Sequence, residues 1–194
     1  VYYSSYYVSD PARSPEVRVV IAKLLFALDL VVRCCMTLAL PSGLHLMWRL
    51  GLLPVTGFGM GLIWLVGIGW LVMVITLHRL ADSPFKAGLA RFDFGFRLLL
   101  IALLGVIAFV GLPNATELPS WLVAKLAKFA LLITCGLIIR LKLRGFGPAF
   151  GRLIAGDADA SVNDAIRTSL AGPRPWVIII WAGVLASAAL GLHV

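Results

Sequence analysis

The chain has 194 residues, of which 61% are hydrophobic and only 13% are charged, and its net charge is +8. An ordinary soluble domain is about half apolar and a quarter charged, so this composition excludes a soluble globular enzyme, a disordered tail and a disulfide scaffold. Only a lipid bilayer accepts so much apolar surface. The sequence therefore predicts an all-α, polytopic transmembrane protein, with residues 1–194 forming a single helical domain.

The chain begins with a tyrosine-rich segment that is typical of the aromatic belt at a membrane interface. We expect this segment to be the end of a helix whose earlier part precedes Val1. Ser14 and Pro15 then form a helix-start signature, because serine is a preferred N-cap and proline a preferred first helical residue. The first predicted span runs over about 17–48, with an expected kink at Pro41.

Four more apolar runs predict spans over about 55–77, 94–112, 120–139 and 176–193, which makes five in all. Each run is long enough to cross about 30 Å of hydrocarbon at 1.5 Å per residue. The second span contains Gly57 and Gly61 in a G-x-x-x-G spacing, which favours close contact between helices.

The distribution of basic residues predicts the orientation of these spans. Lys and Arg concentrate in the loops 78–97 and 140–174, and the positive-inside rule places such loops in the cytoplasm. The protein is then a multi-pass protein of a bacterial-type inner membrane, with Val194 outside. Capping residues predict a short helix over about 162–170 within the second basic loop. The expected partner of the basic residues is the lipid bilayer and not nucleic acid.

Asp29 and Arg33 are charged residues within an otherwise apolar run. They are four residues apart, so they lie on one face of a helix and within pairing distance. A charged side chain inside a bilayer is costly unless it is paired or faces water. The sequence predicts an intramembrane ion pair, and two interpretations remain: a self-neutralised structural pair, or part of a proton or ion relay.

Thiols, thioethers and imidazoles cluster in the first span, and this is the ligand set that copper(I) prefers. Cys34 and His45 are about three helical turns apart, too far to share one metal ion. Only His45, Met47 and His193 come near a common depth at the outer side, where they are candidate ligands for copper or heme b. We predict no cofactor held by this chain's side chains alone, with heme b and copper as the alternatives.

Lys125 and Lys128 lie at the predicted outer start of the fourth span. Lysines at the end of a membrane helix extend their ammonium groups to the interface. Both are candidate contacts for an anion or a lipid headgroup.

Several short motifs resemble a known family. They are the Gly- and Trp-rich stretch from Gly61 to Leu80, the helix start 91–94 (Arg-Phe-Asp-Phe) and the segment 121–126 (Trp-Leu-Val-Ala-Lys-Leu). Their order resembles the copper-resistance-D-like integral membrane proteins of bacteria. It is also similar to the HemJ-type protoporphyrinogen oxidases, in which Lys125 is the matching position of a late helix.

The resemblance covers most of the chain from about residue 55 onward. It implies an inner-membrane protein that acts as a transporter-like or accessory subunit without catalytic chemistry of its own. One alternative is a heme-b-binding membrane oxidoreductase similar to HemJ, and another is a structural subunit of a larger membrane complex. In both families an early helix carries a Leu-His pair whose histidine is the expected ligand. This sequence contains no such helix. The resemblance then implies that the helix with the ligand histidine comes from other membrane subunits or precedes Val1.

Overall fold

The computed structural model describes residues 2–111, 120–157 and 159–189, and these residues form helices joined by short connections. The eight α-helices are α1 (Tyr2–Ser9), α2 (Pro15–Arg49), α3 (Gly57–Arg79), α4 (Pro84–Gly111), α5 (Ser120–Lys142), α6 (Phe146–Ile154), α7 (Ala160–Ala171) and α8 (Arg174–Ala189). A 3-10 turn, Leu143–Gly145, joins α5 to α6. The predicted all-α class is confirmed for the described residues.

Among the residues that the structure describes, four segments are long and apolar enough to cross a membrane. They are Gly57–Arg79, Pro84–Phe109, Ser120–Ile154 and Ala160–Ala189. The prediction of five spans is therefore wrong, because α2 is not among these four. It is less apolar on average than α3, α4, α5 or α8, and charged side chains interrupt its first half.

Proline and hydroxyl residues set the starts of the long helices. α2 begins at Pro15, as predicted, with Arg18 N donating to Ser14 O at 3.2 Å. The α3 N-cap is Thr56, whose Oγ1 accepts from Gly59 N at 3.2 Å. α4 begins at Pro84, and the hydroxyl of the preceding Ser83 accepts from Lys86 N. Hydroxyl acceptors of this kind satisfy amides that have no partner inside the helix.

Two of the predicted loops are largely helical. α4 begins about ten residues earlier than the predicted span 94–112, so most of the basic segment 78–97 belongs to α3 and α4. In the segment 140–174, α7 covers the predicted short helix, and α6 forms a second one that the sequence analysis does not predict. Charged side chains on these segments suggested loops, although they are compatible with helices that have one polar face.

The single transmembrane domain stays a prediction. The chain forms two compact units. The first unit comprises Val1–Phe26 and Arg97–Val194, and the second comprises Ala27–Phe96. In the first unit the short helices α1, α6 and α7 and the start of α2 enclose a hydrophobic core. Its buried members are Val8, Ala22, Phe146, Ala149, Phe150, Leu153, Val162, Ile166 and Leu170.

The second unit contains the later part of α2, all of α3 and the beginning of α4. α2 and α3 are antiparallel, because Pro41 packs on Gly67 while His45 reaches Trp64. A Cβ atom built on Gly67 would lie 2.7 Å from Pro41 Cγ, so glycine is what permits this approach. A Cβ atom built on Gly57 or Gly61 would meet nothing within 4 Å, so the predicted G-x-x-x-G contact does not form among the described residues.

Candidate functional site

A buried carboxylate joins α3 to α4 in the second unit. Asp93 is 1% exposed and Trp70 is 4% exposed. The indole Nε1 of Trp70 donates to Asp93 Oδ1 at 3.0 Å. Both residues belong to segments that are long and apolar enough to cross a membrane. An ionisable side chain in such a place is costly, and it is found where a protein moves protons, ions or charged ligands.

Aromatic rings pack beside Trp70, the donor of this hydrogen bond. The ring of Phe96 lies edge-on to Trp70 at a centroid distance of 5.2 Å, and Phe92 stacks on Phe96. Asp93 itself is buried, and the low dielectric of a buried place strengthens the electrostatic interactions that it makes. The arrangement can hold a proton or a cation, and the indole fixes the orientation of one carboxylate oxygen.

The sequence analysis includes Asp93 in the basic segment 78–97 and in the helix start 91–94 of the resemblance, but it does not single the residue out as a candidate. One signal could have identified it. Asp93 and Arg97 have the same four-residue spacing as Asp29 and Arg33, and they follow a Ser-Pro helix start at Ser83. A helix that begins at Pro84 places this aspartate inside an apolar segment.

The predicted pair of Asp29 and Arg33 forms on α2. Arg33 Nη2 lies in direct contact with Asp29 Oδ2. The side chains are 24% and 38% exposed, so the pair lies on the helix surface and is not enclosed by the chain. The two charges can neutralise each other locally, and the choice between a structural pair and a relay stays open.

The candidate ligand His45 is engaged by a tryptophan. Trp64 Nε1 donates to His45 Nδ1 at 3.3 Å, and the rings of Trp48 and Trp64 lie edge-on to the imidazole. Since an indole nitrogen can only donate, His45 Nδ1 must accept, and the proton of a neutral imidazole is then on Nε2. Binding a metal through Nε2 would require the other tautomer and the loss of the Trp64 hydrogen bond.

For the other predicted ligands within the described residues, no contact with His45 is found. Met47 is buried at 8% exposure, Cys34 and Cys35 carry free thiols, and His193 lies outside the described residues. Within residues 2–111, 120–157 and 159–189, no group of three or more His, Cys, Asp or Glu residues could hold a metal ion.

Lys125 lies over an aromatic ring near the start of α5. Its Nζ is 4.9 Å from the centre of the Trp121 ring, a cation–π contact. Lys125 and Lys128 are both half-buried. The contact holds the Lys125 ammonium at the helix end, where it remains a candidate for an anion or lipid contact.

Two arginines that the sequence analysis treats as ordinary basic residues hold α1 in place. Arg18 is 2% exposed, and its Nε donates to Val8 O at 2.8 Å while Nη1 donates to Asn163 Oδ1 at 2.8 Å. Burial lowers the pKa of the Arg18 guanidinium, and the Asp10 carboxylate opposes this shift. The Arg18 charge thus lies near the C-terminal carbonyls of α1, where a cation is favourable.

Arg174 makes the second attachment of α1. Its guanidinium donates to Ser5 Oγ at 3.0 Å and to Ser5 O at 3.3 Å, and it lies 3.6 Å from the centre of the Tyr6 ring. A third hydrogen bond reaches Ser9 Oγ at 3.2 Å. No local pattern identifies either arginine as an anchor, because their partners are as far as 169 residues away in the sequence.

Comparison with protein-family models, with curated proteins and with solved structures gives no match. The resemblance to copper-resistance-D-like proteins therefore stays a prediction. A function must therefore be inferred from the geometry within each of the two units. The strongest functional feature there is the buried carboxylate of Asp93.

Proposed function

We propose that this protein is a transporter-like integral membrane protein in which Asp93 takes up and releases a proton. In this proposal the protein is of the copper-resistance-D-like type and has no catalytic chemistry of its own. The observation that carries it is the burial of an ionisable side chain between two apolar helices of membrane-spanning length. Carboxylates in such positions are typical of proton relays in pumps and transporters.

The hydrogen bond from Trp70 supports a functional interpretation of Asp93. A purely apolar helix contact would be less costly than a buried carboxylate, since burying a charge requires compensating partners. The indole supplies one such partner at 3.0 Å and fixes the direction of Oδ1. A defined orientation is what directional proton transfer requires, because the donor must be within hydrogen-bond reach of the acceptor.

Contacts within the first unit support the proposed orientation. Ser5 of α1 is bonded to Arg174 at the start of α8, and Arg18 is bonded to Asn163 of α7. We propose that α1 and α7 lie together on the cytoplasmic side of a bacterial-type inner membrane. A cysteine placed at residue 115 should then react with an impermeant probe in intact cells, whereas cysteines at residues 10 and 159 should not. Labelling at 159 but not at 115 would reverse the orientation.

The test of function uses the purified protein in vesicles that contain a trapped pH-sensitive dye. Under an imposed membrane potential, the wild-type protein should carry protons, and Asp93→Asn should reduce the flux to that of empty vesicles. Trp70→Phe removes only the indole donor and should lower the flux less. Asp82→Asn is the matched control, because Asp82 is an exposed aspartate at the start of α4.

Equal proton flux in vesicles with the wild-type protein and in empty vesicles would contradict the proposal. Equal flux in Asp93→Asn and wild-type vesicles would contradict it too. A structural-subunit role would then be favoured. The heme-b alternative makes a separate prediction, a visible absorption band in the purified protein. His45 would have to release Trp64 to become an Nε2 ligand, so Trp64→Phe should strengthen that band if this alternative holds.

A further inference from the structure

The beginning of α5 carries two lysines on one face of an apolar helix. Lys125 and Lys128 are three residues apart, so they are neighbours on the helix surface, and Trp121 precedes Lys125 by four residues on the same face. Both lysines are half-buried. The helix belongs to the segment Ser120–Ile154, which is long and apolar enough to cross a membrane.

No carboxylate of α5, or of the helix that packs on it, compensates the charge of these lysines. Neither α5 nor α8, which contacts α5 where Gly183 meets Leu132, contains an Asp or a Glu. Within the described part of the chain, no salt bridge forms at Lys125 or at Lys128. Two like charges on neighbouring positions of a helix repel each other. An anion bound between the two ammonium groups would remove this repulsion.

The ammonium group of Lys125 is directed towards the start of α5. Side chains of an α-helix tilt towards its N-terminus, and Lys125 Nζ accordingly lies 4.9 Å from the centre of the Trp121 ring, four residues earlier. Tryptophan is enriched at the level of the lipid headgroups, and lysines near a helix end extend to the same level. The anion available at this level of a bilayer is the phosphate of a lipid.

An exposed strip of α5 lies directly beside the two lysines. It consists of Ala124, Ala127 and Leu131, which recur at helical spacing and are all exposed. Ala124 and Ala127 each precede a lysine by one residue, and their small side chains leave room beside the ammonium groups. The strip continues to Leu131, which is 49% exposed, in the direction in which an acyl chain runs from its headgroup into the bilayer.

We propose that Lys125 and Lys128 together bind the phosphate of one anionic phospholipid, with an acyl chain along Ala124, Ala127 and Leu131. The phosphodiester accepts from both ammonium groups, and the ring of Trp121 holds Lys125 in position. A zwitterionic lipid carries its own cation next to the phosphate, so it compensates the two lysines less well. The site therefore selects a lipid of the phosphatidylglycerol class over phosphatidylcholine.

The experiment compares thermal unfolding of the purified protein in a neutral detergent with added phosphatidylglycerol or with the same amount of phosphatidylcholine. Phosphatidylglycerol at about ten times its Kd should raise Tm by about 4 °C more than phosphatidylcholine does. Lys125→Gln with Lys128→Gln should abolish this difference. The matched control is Lys23→Gln with Lys142→Gln, which removes the same charge from two exposed lysines and should retain the difference.

Three results of this experiment would overturn the proposal. One is a lipid difference that survives in Lys125→Gln with Lys128→Gln. Another is an equal loss of the difference in the control variant, which would mean that only the overall positive charge matters. The third is the same rise in Tm with inorganic phosphate in place of the lipid, because the acyl chain would then contribute nothing.

A second measurement uses the wild-type protein, in case the variant with both lysines replaced does not fold. The protein is placed in vesicles of phosphatidylcholine with or without phosphatidylglycerol and treated with an uncharged amine-acylating reagent. Mass spectrometry should show that phosphatidylglycerol slows the acylation of Lys125 and Lys128 several-fold relative to Lys23 and Lys142. Equal slowing at all four lysines, or none at Lys125 and Lys128, would contradict a lipid site at the start of α5.

Discussion

The short-helix core of the first unit and the long helices of the second unit are held together in different ways. In the first unit, α1, α6 and α7 bury a continuous set of large apolar side chains, and two arginines fix α1 by its backbone oxygens. In the apolar stretches of Gly57–Arg79 and Pro84–Phe109, only 22% and 17% is buried. α3 contacts α2 where Gly67 meets Pro41, and it contacts α4 where Trp70 meets Asp93.

The difference lies in how completely the chain covers its own apolar side chains. Around Ile166 many large apolar side chains pack against one another, and their contacts add up. Lipid tails are as apolar as leucine, so helices in a bilayer associate through close packing and polar contacts. The same kind of truncation should therefore cost more stability in the core of the first unit than on the exposed faces of α3.

The largest effect is expected from truncation in the first unit. Ile166 is 0% exposed, so Ile166→Ala should lower the free energy of unfolding by about 2–5 kcal/mol. Leu65→Ala on α3 is the control, because Leu65 is 66% exposed and should change stability by less than about 1 kcal/mol. Denaturation in mild detergent measures both. Equal losses would mean that the two regions are packed alike.

The next effect concerns helix contacts through glycine. Gly67→Ala brings a methyl group against the rigid ring of Pro41 and should cost about 1–3 kcal/mol. Gly183→Ala meets Leu132 Cδ2 at 2.8 Å, but this is the end of a flexible side chain, so the loss should be smaller.

Gly61→Ala serves as the control for both changes, because nothing lies within 4 Å of its position. It should be neutral or stabilising by up to about 1 kcal/mol, since alanine is the better helix former. A loss in Gly61→Ala as large as that in Gly67→Ala would reveal a contact with another copy or subunit.

The pair of Asp29 and Arg33 should contribute less than a fully buried pair. Because both side chains are partly exposed, Asp29→Asn should lower the free energy of unfolding by less than about 1 kcal/mol. Arg33→Leu added to Asp29→Asn should then change little more. A loss of about 3–5 kcal/mol from Asp29→Asn alone, largely recovered in the double variant, would place the pair in a low-dielectric interior.

The smallest effect is expected at the exposed pair of Asp82 and Lys86. The hydrogen bond from Lys86 and its charge hold the pKa of the Asp82 carboxyl below its usual value. A depressed pKa in the folded state stabilises the protein at neutral pH. This contribution fades as pH falls below the usual value of about 3.9 and through the folded-state pKa.

Asp82→Asn should therefore lower Tm slightly at neutral pH, and the difference from wild type should vanish in acid. Tm measured as a function of pH tests this. A difference that grows towards low pH would mean that another group is responsible.

The sequence by itself determined those features that depend on neighbouring residues. Apolar runs identified the membrane-compatible helices, and Ser14 with Pro15 located the start of α2. The contact between Asp29 and Arg33 was predictable because a helix brings residues four apart together wherever it lies. The physical reason is that helix geometry fixes these relations without reference to the rest of the chain.

Tertiary structure alone decided which helices are in contact and which residues along them meet. Only the register of α3 against α4 brings Trp70 to Asp93, and only the docking of α7 gives Arg18 a partner 145 residues away. It also decided that Gly67, and not Gly57 or Gly61, lies at a close helix contact. Such contacts depend on the shapes of both partners and on burial, which no periodicity within one helix encodes.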